Sequence, residues 1–67
     1  MDNIRKNNLL RYHRLKQRLT QADVASSCEL DIRQYQKYER GENIPNIRIA
    51  IKLADLLGVS DLREIWK

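Results

Sequence analysis

Residues 19–41 read LTQADVASSCELDIRQYQKYERG and contain two short segments of helical character with very little chain between them. Thr20 and Asp31 predict the helix starts, because their side chains can accept hydrogen bonds from free backbone N–H groups. Gly41 predicts the end of the second helix, since glycine readily takes the left-handed conformation past a helix end. Only the residues ELD remain to turn the chain, so the two helices must cross steeply.

The flanking sequence extends the helical pattern, and no sustained period-two alternation indicates a strand. A first helix is predicted from about Ile4 to Gln17, with Leu10 and Leu15 facing inward. Asn46 should cap a fourth helix, IRIAIKLADLL, and Ser60 a short fifth helix, DLREIWK. The inward face predicted for the fourth helix consists of Ile47, Ala50, Ile51 and Ala54, with either Leu53 or Leu57. The fold class is therefore all-α, with a helix-turn-helix over about residues 20–40.

The composition fits one small domain, residues 1–67, with a polyanionic partner. The net charge is +4, and 42% of the residues are hydrophobic against 33% charged. Lysine and arginine are concentrated in the first 20 residues. Cys28 is the sole cysteine and is predicted to be a small buried hydrophobe, and no secretion signal is apparent, so the expected location is cytoplasmic. A membrane partner is not expected, because the longest apolar stretch is interrupted by charges and too short to span a bilayer.

Four blocks of sequence, LTQADVA, YQKYERG, IP and KLADLLGVS, occur in an order and spacing that resemble a known family. This is the helix-turn-helix family of the lambda-type phage repressors, the Cro proteins and related bacterial regulators, and the resemblance runs from about Leu10 to Ile65. It implies a compact five-helix DNA-binding domain that works as a homodimer on a palindromic operator. The dimer is expected to be weak and to use helix five and the loop before it.

The resemblance also assigns residues to a DNA interface. Gln21 matches a glutamine that holds the DNA backbone and braces the first residue of the recognition helix. The other matching or flanking positions are Ile32, Arg33 and Lys37 for bases, Arg40 and Asn43 for phosphates, and Gln34 and Gln36 for either. Arginine and lysine suit the acceptors of guanine, and isoleucine suits the thymine methyl group, so a half-site with both G and T is expected. The glutamines could instead form a solvated helix face.

Other positions are given structural roles by the same resemblance. Arg14 and Glu39 match a buried ion pair that joins helix one to the end of helix three. Glu29 stands where most members have glycine, so a positive φ there would cost about 1 kcal/mol. Further core positions are Leu19, Ala22, Val24, Ala25 and Leu30. Tyr35 and Tyr38 fit the core better than a stacking platform for single strands, while Trp66 could close the core or lie in a dimer contact.

No arrangement of residues indicates an enzyme, a metal site, a cofactor or a small-molecule ligand. There is no glycine-rich phosphate loop, no set of cysteine and histidine ligands for a metal, and no pairing of nucleophile with base. His13 is expected to face solvent. The alternative to DNA binding is a protein-interaction module, such as an antitoxin or an adaptor, that uses the same fold as a scaffold.

Overall fold

The computed structural model describes residues 8–66, in which four α-helices and one 3-10 turn are found and no strand. The elements are α1 (Asn8–Lys16), α2 (Gln21–Ser27), α3 (Ile32–Arg40), α4 (Ile47–Leu57) and the 3-10 turn Leu62–Glu64. The all-α class is thus confirmed for this part of the chain. The predicted start of the first helix at Ile4 lies outside the described residues.

The predicted fifth helix is reduced to the 3-10 turn. Its cap is Asp61, whose carboxylate accepts from the backbone N–H of Arg63, and not Ser60 as predicted. The backbone bonds from Glu64 to Asp61 and from Ile65 to Leu62 span three residues each, which is the 3-10 pattern. The five-helix count is therefore replaced by four α-helices and a turn in the described range.

The other predicted helix ends are confirmed. The hydroxyl of Thr20 accepts from the N–H of Asp23 at 3.0 Å, and the Asp23 carboxylate accepts from the N–H of Thr20 at 2.9 Å, which completes a capping box. Asp31 and Asn46 cap α3 and α4 through a single bond each, in which the side-chain oxygen accepts from the N–H of Arg33 or Ile49. Gly41 closes α3 in the left-handed region, with φ of 75°.

The turn between α2 and α3 places Glu29 at φ 59°, so the left-handed conformation that glycine takes in most family members is kept here by a glutamate. The N–H of Leu30 donates to the carbonyl of Ala25 at 2.8 Å, so the strained residue closes the end of α2. The Glu29 carboxylate points toward α4, where Lys52 Nζ lies 3.4 Å away. Arg18, at φ 60° after α1, holds a second left-handed position that the sequence did not indicate.

Glu29→Gly is expected to raise the free energy of unfolding by about 1 kcal/mol, because glycine takes this conformation without the strain that a Cβ causes. For a domain of this size the thermal midpoint should rise by roughly 4–8 °C. Glu29→Ala is the matched control, since it removes the same carboxylate but keeps the Cβ. An equal rise for the alanine variant in thermal unfolding followed by circular dichroism would contradict the backbone explanation.

The core lies between α1, α2, α3 and α4 and is closed by the turn. Its fully buried large side chains are Leu10, Val24, Tyr35, Leu53 and Leu57. Leu19 and Leu30 are partly buried against it, and Val24, Ala25 and Cys28 are buried, as predicted. Tyr35 and Tyr38 are also buried, which confirms a core role and excludes a stacking platform. Trp66 packs partly buried against the same cluster.

Several predicted core positions are wrong. Ile47 and Ile51 are 62% and 48% exposed, because α4 meets the core through the neighbouring face that Ala50, Leu53, Ala54 and Leu57 form. Leu15 is also exposed, since α1 turns Leu10 and Arg14 inward and Leu15 lies about 100° around the axis from Arg14. Ala22 is exposed on the first turn of α2.

Candidate nucleic-acid interface

The side of α3 that faces away from the core carries the predicted DNA-contacting cations. Arg33, Lys37 and Arg40 are exposed and follow one another at spacings of four and three, so they share one helical face. The opposite, buried face consists of Tyr35, Tyr38 and Glu39. None of the ion pairs in residues 8–66 involves Arg33 or Lys37. Two cationic groups therefore face solvent from a helix whose other side is anchored.

The anchor is the predicted ion pair between Arg14 and Glu39, both 8% exposed. The Nε of Arg14 donates to Glu39 Oε2 at 2.5 Å, and a second guanidinium nitrogen donates to Oε1 at 3.3 Å. A third donates to the carbonyl of Leu19 at 2.9 Å. The Tyr35 hydroxyl also donates to Glu39 Oε2, at 2.6 Å. These bonds tie α1 to the end of α3 and fix how α3 is presented.

Glu39 carries its charge in spite of burial. Desolvation by itself favours the neutral acid, but the hydrogen bonds from Arg14, Tyr35 and Gln21 outweigh it and lower the pKa of Glu39. The pKa of Arg14 is raised by its hydrogen bond to the same carboxylate. Burial, together with the bond to Glu39, raises the pKa of Tyr35, so its hydroxyl keeps the proton that it donates. The pair is therefore ionised at neutral pH.

Gln21 connects this buried pair to the surface of α3. Its Nε2 donates to Glu39 Oε1 at 2.9 Å, and its Oε1 accepts from Gln36 Nε2 at 3.1 Å. The resemblance had implied a brace on the first residue of α3, which is Ile32 and offers no polar side-chain atom. In the structure the brace falls one turn later, on Gln36.

Gln34 lies on the other flank of α3. Its Nε2 donates to the hydroxyl of Tyr38 at 2.8 Å, which holds the side chain away from Gln36. Gln21 and Gln34 are thus bonded to the buried residues Glu39 and Tyr38, and Gln36 is bonded to Gln21, whereas a merely solvated face would not require these bonds.

The positions predicted to contact phosphate, Arg40 and Asn43, lie at the end of α3 and in the loop after it. Arg40 forms an exposed ion pair with Glu42, with Nε and Oε2 2.6 Å apart, and Asn43 is exposed next to it. The hydrogen bond from Arg40 lowers the pKa of Glu42, so the pair is charged at neutral pH. The sequence analysis gave Glu42 no role, although an acid two residues after Arg40 is close enough in the chain to indicate such a pair. An exposed ion pair of this kind contributes little to the stability of the fold, so a phosphate could replace the carboxylate as the partner of Arg40.

Ile32 begins α3 beside a shallow, mostly apolar groove that also contains Gln21. The groove lies between the end of α1 and the start of α2, and its apolar walls are Leu15, Leu19, Ala22 and Ile32. Ile32 is 40% exposed there, so its methyl groups face solvent next to Arg33.

Other kinds of site are not indicated in the described range. Residues 8–66 contain no group of three or more histidine, cysteine or acidic side chains placed to hold a metal ion. Within the same range no helix is both long and apolar enough to cross a membrane. His13 is half-buried and its ring contacts Tyr12 edge-on, with centroids 5.1 Å apart.

Comparison with known proteins matches the geometry just described. A family model described as helix-turn-helix covers residues 10–63. The chain is also similar to the cryptic phage CTXphi transcriptional repressor RstR of Vibrio cholerae serotype O1, with 39% identity over 41 residues. That match covers 61% of this chain and 37% of the repressor, so the alignment spans little more than a third of the longer protein.

Proposed function

The chain belongs to the helix-turn-helix family, and from that premise we propose that it regulates transcription by binding double-stranded DNA in a sequence-specific manner through α3. The observation that carries the proposal is the exposed pair Arg33 and Lys37, on a helix whose other face is locked to α1 by a buried ion pair. An α-helix of this kind fits the major groove. Since the phage relative is named a transcriptional repressor, repression is the proposed mode.

Each side chain on this face has a proposed partner in DNA. Arg33 and Lys37 suit the O6 and N7 acceptors of guanine, and Ile32 suits a thymine methyl group. Phosphate contacts are assigned to Gln21, Arg40 and Asn43. Each half-site should therefore contain both G and T, and residues 1–67 would act as a single domain.

Binding as a homodimer is part of the proposal, and the dimensions of the described residues fit one copy in each of two successive major grooves. Two recognition helices that read successive major grooves on one side of DNA lie about 34–36 Å apart. The part of the chain that the structure describes is 32 Å in its longest extent, close to this separation, so two copies side by side can place one helix in each groove. A weak dimer that DNA completes is the expected result.

A stripe of exposed isoleucines is the surface best suited to that contact. Ile44, Ile47 and Ile51, at spacings of three and four, form what we call the isoleucine stripe, from the loop after α3 to the second turn of α4. The sequence had pointed instead to helix five and the loop before it. That surface has less exposed apolar area for a dimer contact, because Ile65 is buried and Leu62 and Trp66 pack against the core.

Ile47→Asp is expected to weaken binding to a two-half-site operator by about tenfold or more, since it places a charge in an apolar contact. Affinity for a single half-site should stay close to native, which provides an internal control. Titrations of both DNA fragments, followed by fluorescence anisotropy, measure the difference. Equal losses on the two fragments would show that the stripe does not join two copies.

The proposed function is tested by selecting bound fragments from random double-stranded DNA at a fixed, near-physiological salt concentration. A palindromic sequence should be enriched, and its affinity should fall linearly on a logarithmic scale as salt is raised, because bound cations release the ions condensed on phosphates. No enriched sequence together with weak salt dependence would favour the protein-interaction alternative. The apolar groove beside Leu15 and Ile32 would then be the first surface to test for a protein partner.

A further inference from the structure

We propose that Gln36 is a specificity-determining residue that reads an adenine in each half-site, and that Gln21 positions it through the buried pair Arg14 and Glu39. The inference rests on the proposed function, because it names one base contact within it. It departs from the expected pattern, in which Gln21 braces the first residue of α3.

The orientation of both amide groups follows from the charge on Glu39. A carboxylate can only accept, so Gln21 must turn its Nε2 toward Glu39, as the 2.9 Å contact shows. The carbonyl oxygen of Gln21 is then directed at Gln36, which must respond with an N–H, at 3.1 Å. Arg14 and Tyr35 hold the same carboxylate in place. An ionised group in the interior therefore determines which atoms Gln36 can show to DNA.

The position of Gln36 on α3 places it among the base-reading residues. With 3.6 residues per turn, it lies about 40° around the axis from Ile32 and about 60° from Arg33, between the two directions and one turn farther along. The side chain is half-buried, and its hydrogen bond to Gln21 places it on the flank that faces α2. It therefore borders the exposed face instead of pointing into the core.

The atoms that remain on Gln36 select one base. After one N–H has bonded to Gln21, the amide retains its carbonyl oxygen and its second N–H. Adenine presents a donor, its N6 amino group, and an acceptor, N7, side by side in the major groove. Guanine presents two acceptors at the same edge and would leave the Gln36 carbonyl without a donor. Because Gln36 is already held by Gln21, less side-chain freedom is lost when the base is bound.

The test is selection from random double-stranded DNA with the native chain, Gln36→Glu and Gln21→Ala, with thermal unfolding of each as a check on folding. The native chain should prefer adenine at one position of each half-site by about 5- to 160-fold, the range that one bidentate contact provides. Gln36→Glu should abolish the adenine preference, because its carboxylate has no donor for adenine N7 or for the Gln21 oxygen, and cytosine should gain at that position, since its N4 amino group donates to a carboxylate. Gln21→Ala should relax the preference at the same position and leave the other positions as they were.

The outcomes separate this inference from the proposed function. A native palindrome whose base preferences Gln36→Glu leaves unchanged at every position would overturn the inference and leave the proposed function standing. A change in affinity spread evenly over all positions would also overturn it, since that is the effect of an added negative charge near DNA. No enriched sequence for the native chain would overturn both.

Discussion

Glu39→Ala is expected to remove most of the stability of the domain at room temperature. The substitution removes the acceptor for Arg14, Tyr35 and Gln21, and it strands a buried guanidinium without its counter-charge. Breaking a buried pair in this way costs about 3–5 kcal/mol. Domains of ordinary size have only about 5–15 kcal/mol of stability in total, and a chain this short lies near the lower end. Urea denaturation followed by circular dichroism measures the loss.

Two further variants separate the buried pair from charge removal in general. Glu42→Ala removes the exposed partner of Arg40 and should leave the urea midpoint unchanged, since both side chains of that pair are about half exposed. The double variant Arg14→Met, Glu39→Met should recover much of the loss, because apolar side chains in place of a buried pair are often tolerated. A Glu39→Ala midpoint as close to native as that of Glu42→Ala would rule out the proposed anchor.

The parts of the fold that the sequence predicted well are those set by neighbouring residues. Thr20, Asp31 and Asn46 each cap a helix through an N–H two or three residues away, so a short window of sequence contains the whole interaction. At Glu29 the resemblance to a family with glycine there raised the question of a positive φ, and the structure shows one. The prediction for the final turn was wrong because two neighbouring residues, Ser60 and Asp61, can both act as the cap. In the structure Asp61 accepts from the N–H of Arg63.

The inward face of α4 shows the limit of hydrophobic patterning. The helix α4 is apolar on two adjoining faces. The prediction chose the face with the larger side chains, Ile47 and Ile51, and this face is exposed in the structure. Which face packs inward is decided by where α4 docks, and that is a tertiary property. The apolar face left outside is the isoleucine stripe proposed for the dimer contact.

Some contacts of the candidate site were predicted and others were not, because the missed ones depend on how the helices pack. The Arg14 and Glu39 pair came from the resemblance, and the structure confirms it. The bond between Gln21 and Gln36 joins residues 15 apart and depends on how α2 crosses α3, so no local pattern indicates it. One signal was present: Gln36 lies four residues after Ile32, directly one turn along, where a longer polar side chain can take over a brace that isoleucine cannot accept.

Arg33→Ala combined with Lys37→Ala is expected to remove the guanine preferences from the selected operator while leaving the fold intact, because both side chains are exposed and outside the ion pairs of the described range. Each good contact to a base edge provides about 1–3 kcal/mol of discrimination, so losing two should reduce affinity for the native site by at least about thirtyfold. Anisotropy titrations with the selected site and with a scrambled site measure the effect. The ratio between the two affinities should fall by a similar factor.

The matched control is Lys52→Ala combined with Arg63→Ala, which removes the same number of charges from α4 and the 3-10 turn, where both are paired with acids. Loss of net charge alone weakens binding to every sequence, because it reduces the number of ions released from phosphates. The control should therefore lower both affinities together and keep their ratio. If it lowered the ratio as much as the α3 variant did, specificity would reside in overall charge and not in the face of α3. If neither variant changed the ratio, the base-reading surface would have to be sought outside Arg33 and Lys37, with Gln36 and Ile32 as the nearest remaining contacts on α3.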